Sequence, residues 1–491
     1  ARNGQDFDIY LMDPADPSSV ELVLEADGEF WPLAWSPDGR YIALTRYLSH
    51  THTALYLLDV ETKSLERLLA QWGDAVSFQA VEWSHDGRHL FFSSDHDAEF
   101  HRLLSYELAT GTVAALTQDI GWDVIDLELT PDGTRIAFLV NEDSAPTLWV
   151  LDLASGAPRR VDGAPSGFVR AQLGFEGLYM HPRHARVALD INPASGATSV
   201  YSYDLDDSRW SRWTQPAADE TERRPVEIVR YPTFDLVDGT PREVPAAVFR
   251  PAASFEPPYP VLIVIHGGPA AQAGPVLPRP FAIVVDGGAV VIQPNVRGSS
   301  GYGKSYMALD DGPLREDAVR DIGALLDWVG TQPDLDPERV AVMGASYGGY
   351  MTLAALTHYS DRLRCGIDMF GFSNLVTFLK ASEEHHFPDA QRAEFGDERD
   401  PETRAFLESI SPLSHAERIT VPLMIYQGAN DVRIKPQESR QMVERIRSTG
   451  GTVHYIEAAD EGHDLSRPLN LLYVGAAYGD LLNECLFGGT T

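Results

Sequence analysis

A short phrase that returns at a period of about 50 residues constrains this chain more than any other feature. Trp35-Ser-Pro-Asp-Gly-Arg-Tyr-Ile-Ala-Leu44 reappears as Trp83-Ser-His-Asp-Gly-Arg-His-Leu-Phe-Phe92 and as Leu129-Thr-Pro-Asp-Gly-Thr-Arg-Ile-Ala-Phe138. A worn copy stands at His181-Pro-Arg-His-Ala-Arg-Val-Ala-Leu189. In each intact copy an Asp-Gly pair signals a tight turn, and the apolar residues after it read as a strand. A second pattern follows every copy: strand, turn, strand, as in 55–60 with 65–69, 104–108 with 112–116, and 148–153 with 158–161. Four short strands per period make one blade of a propeller. A β-sandwich with regular turns is the competing reading, and the repeated phrase disfavours it.

The pattern changes near residue 222. Thr221-Glu-Arg-Arg-Pro225 reads as a linker, with propeller blades over 1–222 and a second domain over 223–491. Beyond it, Pro260-Val-Leu-Ile-Val-Ile265 and Ala289-Val-Val-Ile292 are unbroken apolar runs, as expected of strands buried on both faces. The segment 316–329 places Val319, Ile322, Leu325, Leu326 and Val329 at helical spacing. Strands then recur at 340–343, 423–425 and 453–456. Alternation of this kind predicts an α/β domain with a mostly parallel central sheet.

Gly344-Ala-Ser346-Tyr-Gly348 lies between the strand 340–343 and an expected helix at 350–359. That is the strand–turn–helix setting of a nucleophilic serine. A serine hydroxyl needs a base to take its proton, and the base needs an orienting acid. In α/β hydrolases these follow in the order Ser, acid, His. Asp431 stands just past the strand 423–426, and His463 in a loop past 453–457. Asp460 and Glu461 are rival acids, disfavoured because they are too close to His463 in sequence. For the oxyanion, one donor is expected from the Tyr347 N–H and another from His266-Gly-Gly-Pro269, where Pro269 has no N–H and Gly268 is the expected donor. Arg433, two residues past Asp431, is expected at the pocket rim, holding a substrate carbonyl or carboxylate.

Two decoys stand beside these residues. Gly298-Ser-Ser-Gly-Tyr-Gly-Lys-Ser305 fits the phosphate-loop pattern letter for letter. However, Gly312-Pro313 would cut short the helix such a loop must enter, so no nucleotide is expected there. Glu383-Glu-His-His386 matches no metal-ligand spacing. No cofactor and no metal are expected.

With these motifs in view, the chain resembles the prolyl oligopeptidase family of serine peptidases, most closely its acylaminoacyl-peptidase branch. The resemblance covers nearly the whole chain. It rests on His266-Gly-Gly-Pro269, Asn295-Val-Arg-Gly-Ser-Ser-Gly-Tyr-Gly303, Gly344-Ala-Ser-Tyr-Gly-Gly-Tyr350, Gln427-Gly-Ala-Asn-Asp431 and Glu461-Gly-His463. It implies a β-propeller capping an α/β-hydrolase domain, and cleavage of short peptides with the propeller restricting access. Members with a tyrosine where His266 stands use its hydroxyl in the oxyanion hole, so backbone donation by Gly268 is the better expectation here. No double-glutamate segment like that of dipeptidyl peptidases is evident in the blades. A carboxylesterase of the same fold and a propeller interaction scaffold remain as alternatives.

A net charge of −33 argues against nucleic-acid partners and anionic membranes. No apolar run approaches the roughly 20 residues of a membrane span. Two cysteines cannot build a disulfide framework or a thiolate cage. The default compartment is the cytoplasm, and association into a homo-oligomer is left open. The chain also opens halfway through a blade: 8–12 and 21–24 match an outer strand pair with no inner strands before them. Against the ring of about seven blades that the resemblance implies, Ala1–Thr491 is expected to be a fragment lacking an upstream stretch. A small propeller closed differently, or completed by a second chain, is the alternative.

Overall fold

The computed structural model describes residues 2, 6–165, 168–169, 177–192, 198–214, 225–384 and 388–489. Two compact units emerge: Ala1–Ala218 with Gly301–Ser305, and Asp219–Ser300 with Tyr306–Thr491. The expected linker, Pro225 apart, and the His385–His386 pair lie outside the described residues.

The first unit consists of propeller blades. Glu29–Trp35, Tyr41–Ser49, His52–Asp59 and Ser64–Arg67 form one four-stranded antiparallel sheet. Phe78–Trp83 to Thr112–Ala115 form the next, and Val124–Leu129 to Ala157–Arg160 a third. A fourth sheet is built on Arg186–Asn192, Ser199–Asp204 and Arg209–Arg212, and a hairpin of Ile9–Asp13 with Asp16–Leu24 stands before the first.

The repeated phrase is the turn between the first two strands of a blade. Ser36 Oγ donates to Asp38 Oδ1 (2.6 Å), the same carboxylate accepts from the Arg40 amide (3.1 Å), and Gly39 takes φ 72°, a left-handed backbone that suits glycine. Thr130 substitutes for the serine in the third copy, bonding Asp132 at 2.6 Å. In the worn copy the acceptor becomes His181 Nδ1, which takes the Arg183 amide at 3.1 Å. Alternation does the packing. Leu90 and Phe92 join Leu55 and Leu57 of the preceding blade, whereas Phe91 and Leu103 join Leu127 and Phe138 of the following one.

Gly301–Ser305 clusters with this unit. Lys304 Nζ donates to the Asp95 carbonyl (3.1 Å), the Lys304 amide to the Glu99 carbonyl (3.0 Å), and Ser305 Oγ to the Glu99 carboxylate (2.6 Å). The lysine of the phosphate-loop lookalike is thus engaged with blade residues, and the helix after it, Lys304–Met307, is a single turn.

The second unit is an eight-stranded sheet. Its strands are β1 (Glu227–Val237), β2 (Thr240–Phe249), β3 (Tyr259–Ile265), β4 (Val290–Pro294), β5 (Leu335–Ala345), β6 (Cys365–Met369), β7 (Leu423–Gly428) and β8 (Val453–Ala458). The spatial order is β1-β2-β4-β3-β5-β6-β7-β8. β2 pairs antiparallel with both β1 and β4, and the remaining neighbours pair in parallel.

Helices cover both faces. α1 (Arg315–Thr331), α2 (Tyr347–Tyr359) and α4 (Pro436–Ser448) bury residues with Ile263, Ile265, Val342 and Ile425 on one side. α3 is the short helix Pro388–Phe395. α5 (Pro468–Phe487) packs with Leu262, Val264, Met343 and Met424 on the other side. Both faces of β3 are therefore buried, which is why it reads as an apolar run.

Cys365 on β6 and Cys485 on α5 form a disulfide across a sequence separation of 120. Among the described residues no helix is long and apolar enough to cross a membrane.

Candidate active site

β5 ends in a turn that only small residues permit. Ser346 follows it with φ 59° and ψ −121°, a backbone that a residue with a Cβ adopts only under constraint. A Cβ on Gly348 would fall 2.1 Å from the Ile265 carbonyl oxygen, so the sharp return into α2 requires glycine there. The Ser346 amide donates to the Met369 carbonyl at the end of β6 (2.9 Å), which ties the turn to the neighbouring strand.

The loops after β7 and β8 are sewn together. The Asn430 amide donates to the Glu461 carbonyl (2.9 Å) and Asn430 Nδ2 to that of Ala459 (2.9 Å). A Cβ on Gly428 would sit 2.1 Å from the Gly462 carbonyl oxygen, so the two loops can close only over glycine. This closure brings Asp431 to His463, with Nδ1 to Oδ2 at 2.7 Å. On the other side of the ring, Nε2 lies 3.0 Å from Ser346 Oγ. Three residues predicted from sequence thus form one continuous chain of contacts at the carboxyl edge of the sheet.

Asp431 is almost wholly buried and has every acceptor position used. Its Oδ1 accepts from the Arg433 amide (2.8 Å) and the Ile434 amide (2.9 Å), and Oδ2 accepts from Gln427 Nε2 (3.1 Å) as well as from His463. Four donors hold this carboxylate in one orientation. The rival acids are engaged elsewhere. Glu461 takes the Arg467 amide (2.8 Å) and Asn470 Nδ2 (3.0 Å), and Asp460 pairs with Arg467.

On the oxyanion side, Tyr347 is the first residue of α2, where a helix leaves its N–H groups unused. Neither its amide nor that of Gly268 has an acceptor among the described residues. Gly268 has φ 133° and precedes Pro269. His266 is not turned to this task. Its Nδ1–H donates to the Gly267 carbonyl (2.7 Å), Nε2 lies 2.9 Å from Ser299 Oγ, and burial pushes its pKa down. The Arg433 side chain is exposed, with no ion-pair or hydrogen-bond partner among the described residues.

Two contributors went unread in the sequence. Gln427 stands inside a motif quoted for its aspartate, yet it also holds Asp431. Phe370, just past β6, lays its ring against His463 with centroids 4.8 Å apart. Gln427 had a signal in its position at a strand end, whereas Phe370 had none.

An eight-stranded sheet in this order, with a serine on the strained turn after its fifth strand, defines an α/β-hydrolase domain bearing a serine-hydrolase site. Residues 278–486 match the model of the prolyl oligopeptidase family. The matched segment lies in the C-terminal half of the chain. Dipeptidyl aminopeptidase BIII of Pseudoxanthomonas mexicana is 35% identical over 233 residues, covering 47% of this chain and 34% of that protein. Acylamino-acid-releasing enzyme 2 of Oryza sativa subsp. japonica is 23% identical over 249 residues, covering 49% of this chain and 32% of that protein. The matches therefore span about a third of each relative's length. A crystal structure of puromycin hydrolase superposes with a TM-score of 0.83 at 22% identity, covering 97% of this chain and 72% of that one. That likeness establishes the shared architecture of propeller blades and α/β-hydrolase sheet.

Proposed function

We propose that this protein is a serine peptidase that cleaves short peptides through an acyl-enzyme, acting as an exopeptidase or an acylaminoacyl-peptidase-like enzyme. The observation that carries the reading is the unbroken chain from Ser346 Oγ through both ring nitrogens of His463 to Asp431, at 3.0 and 2.7 Å.

In this reading Ser346 Oγ attacks the scissile carbonyl while its proton passes to His463 Nε2. Asp431 holds the tautomer with the proton on Nδ1 and stabilises the imidazolium that forms. The N–H groups of Tyr347 and Gly268 receive the developing oxyanion. The imidazolium then returns its proton to the leaving amine, and water repeats the sequence in reverse to release the acid.

Arg433, with an unengaged guanidinium two residues from Asp431, would grip a substrate carbonyl or carboxylate. Arg433→Ala should then raise KM while leaving kcat nearly unchanged. An unaltered KM on substrates with free and with amidated C-termini removes it from this role.

The test of the whole reading compares an N-acetyl aminoacyl anilide, an unblocked dipeptidyl anilide and a p-nitrophenyl ester. Turnover of an anilide, with one N-terminal class preferred, supports the peptidase. Turnover of the ester alone makes it a carboxylesterase. Turnover of none of the three favours an interaction scaffold.

A further inference from the structure

Arg315, the first residue of α1, is completely buried, although arginine rarely is. Its Nη1 donates to Asp310 Oδ2 and to the Tyr347 hydroxyl (3.2 Å), and its Nη2 to the Glu394 carbonyl (3.0 Å) and carboxylate. The Tyr347 hydroxyl in turn donates to Asp310 Oδ2 (3.2 Å). The guanidinium lies over the Phe395 ring, 4.4 Å from its centroid. Asp310 and Arg315 are both at zero exposure.

Burying such a group carries a heavy desolvation penalty, and apolar packing of equal volume is often as stable or more so. As filler the cluster is a poor choice, so what it touches matters. It touches the side chain of the residue whose backbone follows the nucleophile. A tyrosine has two side-chain torsions, so anchoring its hydroxyl at both Arg315 and Asp310 restricts where its own amide can point.

We infer that Arg315, with Asp310 and Glu394, is a positioning cluster that grips the Tyr347 hydroxyl and thereby aims the Tyr347 N–H at the oxyanion. This rests on the reading of Ser346 as the nucleophile. Glu394 holds the second arm of the fork, so the guanidinium cannot turn away from Tyr347. Burial pushes the Asp310 carboxyl up, to about 7, against the pull of Arg315 and with the neighbouring Glu394 adding to the rise, consistent with a buried cluster of two acids that shares one cation. The cluster forms no part of the proton relay. Its effect is on alignment, which counts in the transition state and not in substrate binding.

The experiment uses Tyr347→Phe, which keeps the ring and the amide and removes only the gripped hydroxyl. Active sites are titrated with a fluorophosphonate, and kcat, KM and the affinity for a peptidyl trifluoromethyl ketone are measured per titrated site. The expected result is a fall in kcat of roughly tenfold with KM little changed, less than loss of a whole oxyanion donor costs. Affinity for the ketone, which mimics the tetrahedral adduct, should fall in the same ratio. Asp310→Asn, which still offers an acceptor to both partners, should retain most of the activity that Asp310→Ala loses. Parental kcat and ketone affinity per titrated site in Tyr347→Phe overturn the inference while leaving the peptidase reading intact. So does a loss confined to the titrated fraction, which would mark a purely structural role. If the parent itself is neither labelled at Ser346 nor active, the reading beneath fails and the inference falls with it.

Discussion

Phe370 holds its backbone in the left-handed region, at φ 44°, and from there packs its ring on His463 at a centroid distance of 4.8 Å. Its amide donates to the Tyr426 carbonyl (2.7 Å) and its ring meets Tyr426 edge-on, so the position is held from two sides. A residue kept in an unfavourable conformation beside the base of a candidate relay has a mechanical role: it limits where the imidazole can swing.

Phe370→Ala should accordingly lower kcat by roughly tenfold to a hundredfold through misplacement of the imidazole, with the fold retained. Phe370→Leu, which restores bulk, should recover part of the loss. Steady-state kinetics on the two variants check this, and an alanine variant with parental kcat contradicts it.

Asp368, on β6 behind the serine turn, is fully buried. Its Oδ1 accepts from the Gly371 amide (2.8 Å) and its Oδ2 has no partner among the described residues. Burial pushes this carboxyl from an ordinary 3.8 to about 7. The unfolded chain ionises first, so the stability this group allows is complete below about 3.8, falls as pH rises through the interval, and levels off above about 7. Across that interval the penalty reaches about 4 kcal/mol as an upper figure. The difference in Tm between Asp368→Asn and the parent should therefore move in favour of the variant between pH 4 and pH 8. A difference that is the same at both pH values contradicts this assignment.

The Cys365–Cys485 disulfide ties α5 to the sheet across 120 residues of sequence. Closing so long a loop stabilises by about 5 kcal/mol in the chain-entropy account. Cys485→Ser should lower Tm by roughly 5–15 °C and leave kcat at 25 °C near the parental value, because neither sulfur touches the relay. Thermal scans with and without reductant check this, and an unchanged Tm contradicts it.

What could be read beforehand was whatever local sterics or periodicity write into adjacent letters. The Asp-Gly turns, the apolar run of β3 and the small residues around Ser346 each encode a backbone constraint in place. Asp431 and His463 were legible because strand order determines where an acid and a base must fall. Arg315, Asp310 and Glu394 were not, since a buried ion cluster is spelled with the same letters as a solvated surface. Pairing Cys365 with Cys485 required knowing that α5 returns to β6. The letters of Gly298–Ser305 satisfied a phosphate-loop pattern, and only tertiary contacts reveal that Lys304 and Ser305 bind Asp95 and Glu99.

In the proposed mechanism Ser346 is the nucleophile, activated by His463 and Asp431. Treating the intact protein with a fluorophosphonate and mapping the adduct by peptide mass spectrometry tests it most directly. One modified serine is expected, Ser346, with labelling abolished in Ser346→Ala and strongly slowed in His463→Ala, in parallel with loss of peptide hydrolysis. A modification at another serine, or peptide hydrolysis that survives Ser346→Ala, would contradict it.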